Sequence, residues 1–309
     1  MWETIEEING ANPDVMKFIF KQEDAIAESV LYKYPTFEER TVMCISTQTG
    51  CPMGCSFCGT GKFFGRNLTA EEIIGQVYYM ANTYKLDLNA SKRVQIMFMS
   101  MGEPLLNMNS VAIAIEALHI TYPKAALLIS TSGPDTLGWN LLLEQAAAIP
   151  TLGLQFSVHE STDQARNKLI PMKNKLNLKE ISEMGLRFYE ASGRRPFFNY
   201  CVHPGNATDG DVKRLTRLFN PSIWEATLSV ICEKDETNAD AVARHLDLVQ
   251  DFSGRLVAKG FNTRVFNPAG QDDIGGGCGQ LWQVQKFASE HPEFMKQSPG
   301  DKIRVRMES

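Results

Sequence analysis

Cys51, Cys55 and Cys58 lie in the run Cys51-Pro52-Met53-Gly54-Cys55-Ser56-Phe57-Cys58. Cysteine thiolates hold iron–sulfur clusters, and a full set is four. Three thiolates on one short loop can bind three irons of a cubane and leave the fourth without a protein ligand. An open coordination position implies chemistry on a bound small molecule. Zinc competes for clustered cysteines, but its sites usually join one CxxC pair to a second pair or to a His pair. Cys201, Cys232 and Cys278 are isolated and supply no such pair. The spacing therefore points to a 4Fe-4S cluster, although taken alone it also suits a structural or regulatory Fe–S protein. Other groups carry weaker signals. In Met101-Gly102-Glu103-Pro104-Leu105, Gly102 permits close backbone approach and Glu103 can accept from an amine. Ser130-Thr131-Ser132-Gly133 and Ser157-Val158-His159 offer hydroxyl and imidazole groups. Each alone reads as a turn or capping feature.

The elements around these residues give them a common location. Thr41 to Ser46 is an apolar strand, and the cysteine loop follows it. Thr69-Ala70-Glu71-Glu72 is a capping box, and Ile73, Ile74, Val77, Tyr78, Ala81 and Tyr84 then recur at helical spacing. Further strands are expected at Val94–Met99, Ala125–Thr131, Leu152–His159, Pro196–Val202, Thr227–Cys232 and Asn262–Phe266. Helices are expected between them at Ser110–Ile120, Thr136–Ala148, Leu178–Ala191, Asp209–Phe219 and Ala239–Lys259. Strands alternating with such helices predict βαβ units, a parallel sheet and an α/β fold closing as a partial (βα)6-type barrel. Sites in such barrels lie at the C-terminal ends of the strands. The four motifs all fall there. Lys17–Lys21 and Glu28–Tyr34 read as a β-hairpin turning at Gln22-Glu23-Asp24. The chain thus divides into an N-terminal extension with this hairpin (1–40), the barrel (41–285) and a C-terminal tail (286–309).

The bulk properties agree with an enzyme of ordinary composition. The 309 residues are 43% hydrophobic and 22% charged, enough to bury a sizeable α/β core. No stretch reaches the roughly 18 apolar residues that mark a membrane span. The acidic start Met1-Trp2-Glu3-Thr4-Ile5-Glu6-Glu7 lacks a signal pattern, so a cytoplasmic location is expected. A net charge of −5 argues against broad capture of nucleic acid but leaves room for a local basic face. The run from Arg166 to Lys175, after the fourth strand, is the best candidate for that face. Phe63-Phe64 could stack on a base or pack over the cluster.

With Phe57 before its last cysteine, the motif resembles that of the radical S-adenosylmethionine superfamily. The resemblance implies that S-adenosyl-L-methionine chelates the open iron and is cleaved to a 5′-deoxyadenosyl radical. Gly102 and Glu103 then match the cofactor-amine motif, and Ser130, Ser157, Val158 and His159 become further cofactor contacts. A finer match comes from Cys44 through Cys51, Gly65-Arg66-Asn67-Leu68-Thr69, Met101–Asn107, Ser130–Gly133, Arg166 through Pro171, and Asp272-Asp273-Ile274 through Cys278-Gly279-Gln280-Leu281. In this order they resemble bacterial methyltransferases of carbon 2 of an adenosine in 23S rRNA and tRNA. They also resemble the sister enzymes acting on carbon 8.

That family implies roles for three more residues. Cys278 is methylated, Cys44 resolves a protein–RNA crosslink by forming a disulfide, and Glu28 is the base. An RNA substrate, an electron donor such as flavodoxin and a monomeric state follow. Adenine carbon 2 is electron-poor and ill-suited to polar methyl transfer, whereas a carbon radical can add to it. The family's helical accessory domain has no counterpart here, where only residues 1–16 precede the first matched strand. A smaller RNA or another heteroaromatic therefore stays open as substrate. Gly275-Gly276-Gly277 stands where the family has Asp-Ala-Ala, and Cys232 to Asn238 where it has Trp-Asn-Pro. Asn199-Tyr200-Cys201 replaces the usual Glu-Tyr-Val.

Overall fold

The computed structural model describes residues 2–230, 238–266, 274–275 and 281–299. Strands β1 (Thr4–Asn9), β2 (Val15–Gln22) and β3 (Ala25–Lys33) run antiparallel. Strand β4 (Thr41–Ile45) continues them, antiparallel to β3. Two short strands, β5 (Gln48–Gly50) and β6 (Phe63–Asn67), flank the cysteine loop. The alternation then runs α1 (Ala70–Thr83), β7 (Val94–Phe98), α2 (Met108–Thr121), β8 (Ala126–Thr131), α3 (Gly138–Ala148) and β9 (Leu152–Ser157). It continues with α4 (Asp163–Leu169), α5 (Leu178–Ser192), β10 (Phe197–Val202), α6 (Asp209–Leu218), β11 (Glu225–Val230), α7 (Asn238–Val257) and β12 (Asn262–Phe266). Helix α8 (Trp282–Glu290) and strand β13 (Lys296–Gln297) follow.

One ten-stranded sheet has the order β1-β2-β3-β4-β7-β8-β9-β10-β11-β12. From β4 onward its pairs are parallel, joined by helical crossovers. This is the expected partial barrel with an antiparallel hairpin extension. The large core lies between the sheet and its helices, where Phe18 and Phe20 meet Tyr79 of α1 edge to face. The capping box is formed: the Thr69 hydroxyl accepts from the Glu72 amide, and Glu72 accepts from the Thr69 amide.

The sequence reading missed three features. Strand β1 carries mostly polar residues because it is an edge with one solvated side, so alternation is weak. Helix α4 is only two turns long and is started by the Thr162 side chain. The C-terminal segment turns back: α8 packs on β3, and β13 adds a third strand beside β6 and β5.

Candidate active site

Three separate segments hold the cysteine loop. The Cys51 amide donates to the Phe63 carbonyl at 2.7 Å, and the Ser56 amide to Leu169 at 3.0 Å. From the C-terminal segment, the Ser298 hydroxyl donates to the Cys51 carbonyl at 2.7 Å. Cys51 packs with Met53 and Ile170. Burial raises the Cys51 thiol, and the neighbouring Cys55, Cys58 and Glu103 charges raise it further. Burial also pushes Cys55 up to about 12, with Cys58 and Glu103 adding to it. The three sulfurs therefore share one patch with Glu103. Among the described residues, no three His, Cys, Asp or Glu groups gather as tightly as ligands of one metal ion. A cubane asks for something looser, since each thiolate binds a different iron. Cys44, Cys51, Cys55, Cys58 and Cys201 are all free thiols. A trio of free thiols on one short loop fits a cationic cluster that would draw off their protons.

The Gly102-Glu103 motif lies beside that loop. Gly102 has φ +101°, and a Cβ there would meet the Gln48 nitrogen and the Thr47 hydroxyl at 2.8 Å. Only glycine allows that approach. It lets the Glu103 amide donate to Gln48 Oε1 at 2.8 Å. The buried Glu103 carboxylate accepts from the Thr131 hydroxyl at 2.6 Å, the Ser132 amide at 2.7 Å and the Leu105 amide at 3.2 Å. Burial nevertheless raises its pKa to about 7.

Arg166 belongs to this framework and not to a surface. It is 1% exposed, and its guanidinium donates to the carbonyls of Ser132 (2.6 Å), Leu176 (3.0 Å) and Ser157 (3.2 Å). It ties together the C-terminal ends of β8 and β9. The basic run reaches solvent instead through Lys168 and Lys173. Arg66 is likewise engaged, by Asp24 and Glu72.

His159, just beyond β9, is buried with φ +59°. Its Nδ1 accepts from the Cys201 amide at 3.3 Å, which leaves the ring proton on Nε2. Burial, helped by the Arg166 charge, pushes its pKa down to about 3, so the ring is neutral. It meets Phe57 of the cysteine loop edge-on at 5.2 Å. The Val158 amide donates to Asn199, and Ser130 accepts from Gln155. The structure thus brings Ser130, Ser157, Val158 and His159 to the strand ends that border the cysteine loop.

A second group lies on the sheet face turned away from α1. Ile8, Lys17, Val30, Cys44 and Met97 form one row across β1, β2, β3, β4 and β7. Glu28 lies two residues from Val30 on the same face. It could have been a solvated strand residue; it is 0% exposed, paired with an equally buried Lys17. Its main-chain carbonyl accepts from Ser46 (2.7 Å) and Ser100 (2.5 Å), which ties it to the segment entering Met101-Gly102. Burial pushes the Cys44 thiol up to about 12. Cys201 is core, beside Ser229. Cys278, Cys232 and the Trp-Asn-Pro counterpart up to Thr237 lie outside the described residues. Gly275, where the family has Asp, has φ +59°, and a Cβ there would lie 2.9 Å from the Trp282 ring. Lys17 and the clamp role of Arg166 were not visible in advance. A lysine inside the apolar run Lys17-Phe18-Ile19-Phe20 was the one available hint.

Residues 45–218 match the Radical SAM superfamily. Over 278 residues the chain is 31% identical to a probable dual-specificity RNA methyltransferase RlmN of Petrotoga mobilis, covering 86% of this chain and 74% of that one. This chain belongs to the radical SAM superfamily, in the RlmN family. A dual-specificity RNA methyltransferase RlmN of Geotalea uraniireducens is 32% identical over 289 residues, covering 89% and 77%. The crystal structure of a radical SAM methyltransferase from Sphaerobacter thermophilus superposes with TM-score 0.72 at 26% identity, over 89% of this chain and 79% of that one. The radical SAM superfamily uses a 4Fe-4S cluster and S-adenosyl-L-methionine. The matched region includes the cysteine loop, Glu103 and His159 and leaves out Glu28, Cys44 and Cys278. No described helix is long and apolar enough to cross a membrane.

Proposed function

We propose that this chain methylates carbon 2 of an adenosine in rRNA or tRNA through a methylated Cys278. The observation that carries the reading is the meeting of two groups at one end of the sheet. The first is the thiol trio with Glu103. The second is the Cys44 and Glu28 face, joined to it through Ser46 and Ser100. RlmN relatives over most of the chain support the substrate class.

In this reading Cys51, Cys55 and Cys58 hold the cluster. Gly102, Glu103, Ser130, Ser157, Val158 and His159 hold the cofactor. When bound, the cofactor supplies the methyl group and a 5′-deoxyadenosyl radical. Glu103 accepts from its amine, and neutral His159 fixes Phe57 and with it the loop. Glu28, paired with Lys17, takes the proton that leaves carbon 2. A carbon radical on methyl-Cys278 would add to carbon 2 and join the sulfur to the RNA through a methylene, the cluster when bound taking up the odd electron as the proton leaves. The Cys44 thiolate then attacks the Cys278 sulfur. The sulfur–methylene bond breaks with its electron pair on carbon, that carbon takes a proton to become the methyl group, and a Cys44–Cys278 disulfide remains. Its raised pKa means that Cys44 must first lose a proton. The reading takes the chain as a cytoplasmic monomer reduced by a donor such as flavodoxin.

The test is anaerobic reconstitution with iron and sulfide, then incubation with cofactor, reductant and either a 23S rRNA fragment or tRNA. Mass mapping should find 2-methyladenosine; a carbon-8 product would reassign the position. Cys278→Ala should abolish methyl transfer while cofactor cleavage stays measurable, and transfer persisting in it would overturn the route. Cys44→Ala should accumulate a covalent protein–RNA adduct.

A further inference from the structure

We propose that Lys17 is a positioning residue: paired with Glu28, it staples the two flanks of the segment that contains Cys278. This rests on the methyl-Cys278 reading and deepens it.

Both charges are fully buried. An ion pair out of water is costly unless its remaining hydrogen-bond capacity is used. Here that capacity is spent on one segment. Lys17 Nζ donates to the Gly275 carbonyl at 2.8 Å. Glu28 Oε1 accepts from the Val284 amide at 2.7 Å. The Gly275 carbonyl also accepts from the Leu281 amide at 3.2 Å. The pair therefore grips the chain on both sides of residues 276–280, and the two sides also grip each other.

The Val284 contact has a second meaning. Helix α8 begins after Leu281, whose side chain makes no cap hydrogen bond. The first amides of a helix need an acceptor and favour a negative charge. Glu28, 256 residues away in sequence, supplies both. The same carboxylate that serves as base thus caps the helix that follows Cys278.

Chain length turns this grip into a constraint. Cys278 is three residues from both Gly275 and Leu281. Gly275 is fixed on Lys17, and Ile274 belongs to a buried cluster with Val30 and Val42, against which Cys44 packs. The staple holds both flanks of the Cys278-bearing segment, Gly275 and Val284, against the strands that carry Cys44 and Glu28.

The experiment uses the full chain as Lys17→Met, Lys17→Arg, Glu28→Gln and the double variant Lys17→Met/Glu28→Gln. The double variant removes both charges and keeps the question answerable if Lys17→Met alone fails to fold. Hydrogen exchange is followed by mass spectrometry on the peptide spanning 281–287. Exchange there should accelerate about tenfold in Lys17→Met, with the peptides of β7 to β9 unchanged. In the reconstituted enzyme, methyl transfer to RNA should fall about 100-fold and cofactor cleavage less than about threefold. Lys17→Arg should recover most of the transfer. The double variant should exchange faster in 281–287 than Glu28→Gln, because it also loses the Lys17 bond to the Gly275 carbonyl. Unchanged exchange and transfer in Lys17→Met would overturn the proposal, as would a parallel loss of cleavage and transfer. If the wild-type chain methylates no RNA, the substrate reading fails, and the exchange measurement by itself still decides the staple.

Discussion

Glu103 shows how one carboxylate can be both held and poised. Three donors point at it, yet burial keeps its pKa near 7. The sign of the pH effect follows. As pH falls through about 7 the carboxylate takes a proton and no longer offers an ionised acceptor to the cofactor amine. Affinity should therefore fall toward acid, at a limiting slope of about tenfold per pH unit. Equilibrium dialysis of S-adenosyl-L-methionine against the reconstituted protein from pH 7.5 to 6 measures it. Glu103→Gln, which cannot titrate, carries the background from the cofactor's own amine and the cluster. Equal slopes in the two proteins would contradict this role. Lys17 and Glu28 are poised in another way, since each charge is made tolerable by the other and by a chain segment from the far end of the sequence.

Among the elements, short α4 matters most for its size. Its Thr162 cap fixes the helix, and the helix carries Arg166 inward beneath the ends of β8 and β9. Parallel strands leave unpaired carbonyls at their C-terminal ends, where a site must be open. A buried guanidinium can satisfy several at once because its donors fan out in a plane. Arg166→Met should strand the Ser132, Ser157 and Leu176 carbonyls and destabilise the fold by about 3 kcal/mol. Urea unfolding would measure this. Arg166→Lys should recover only part, since an ammonium lacks the planar fork. Full recovery would mean that charge alone matters.

At the scale of the molecule, the C-terminal segment closes the site. Strand β13 lies on β6, Ser298 bonds both the Cys51 carbonyl and the Lys62 carbonyl, and α8 packs on β3. Cover over a cluster controls solvent access to it. Deleting residues 296–309 should leave cluster assembly intact. It should also speed the loss of iron–thiolate absorbance in air about threefold or more. Bleaching at the wild-type rate would show that the strap does not shield the loop.

Most local patterns were legible in the amino-acid order, short α4 and edge strand β1 excepted. The capping box at Thr69 and the strand–helix alternation depend on neighbours a few residues apart, and both formed as read. So did the placement of Gly102, Glu103 and His159 at strand ends, because a βα unit fixes which end a following loop occupies. What spacing could not determine was who meets whom across the sheet. Arg166 read as part of a basic run and became a buried clamp, and Glu28 read as a strand residue of open fate and became half of a buried pair. Strand register and the return of the C-terminal segment decided those outcomes. Lys17 reaches Gly275 only because pairing puts β2 on the face that residues 274–275 cover. Periodicity along the chain has no term for such a contact; only closure of the tertiary fold creates it.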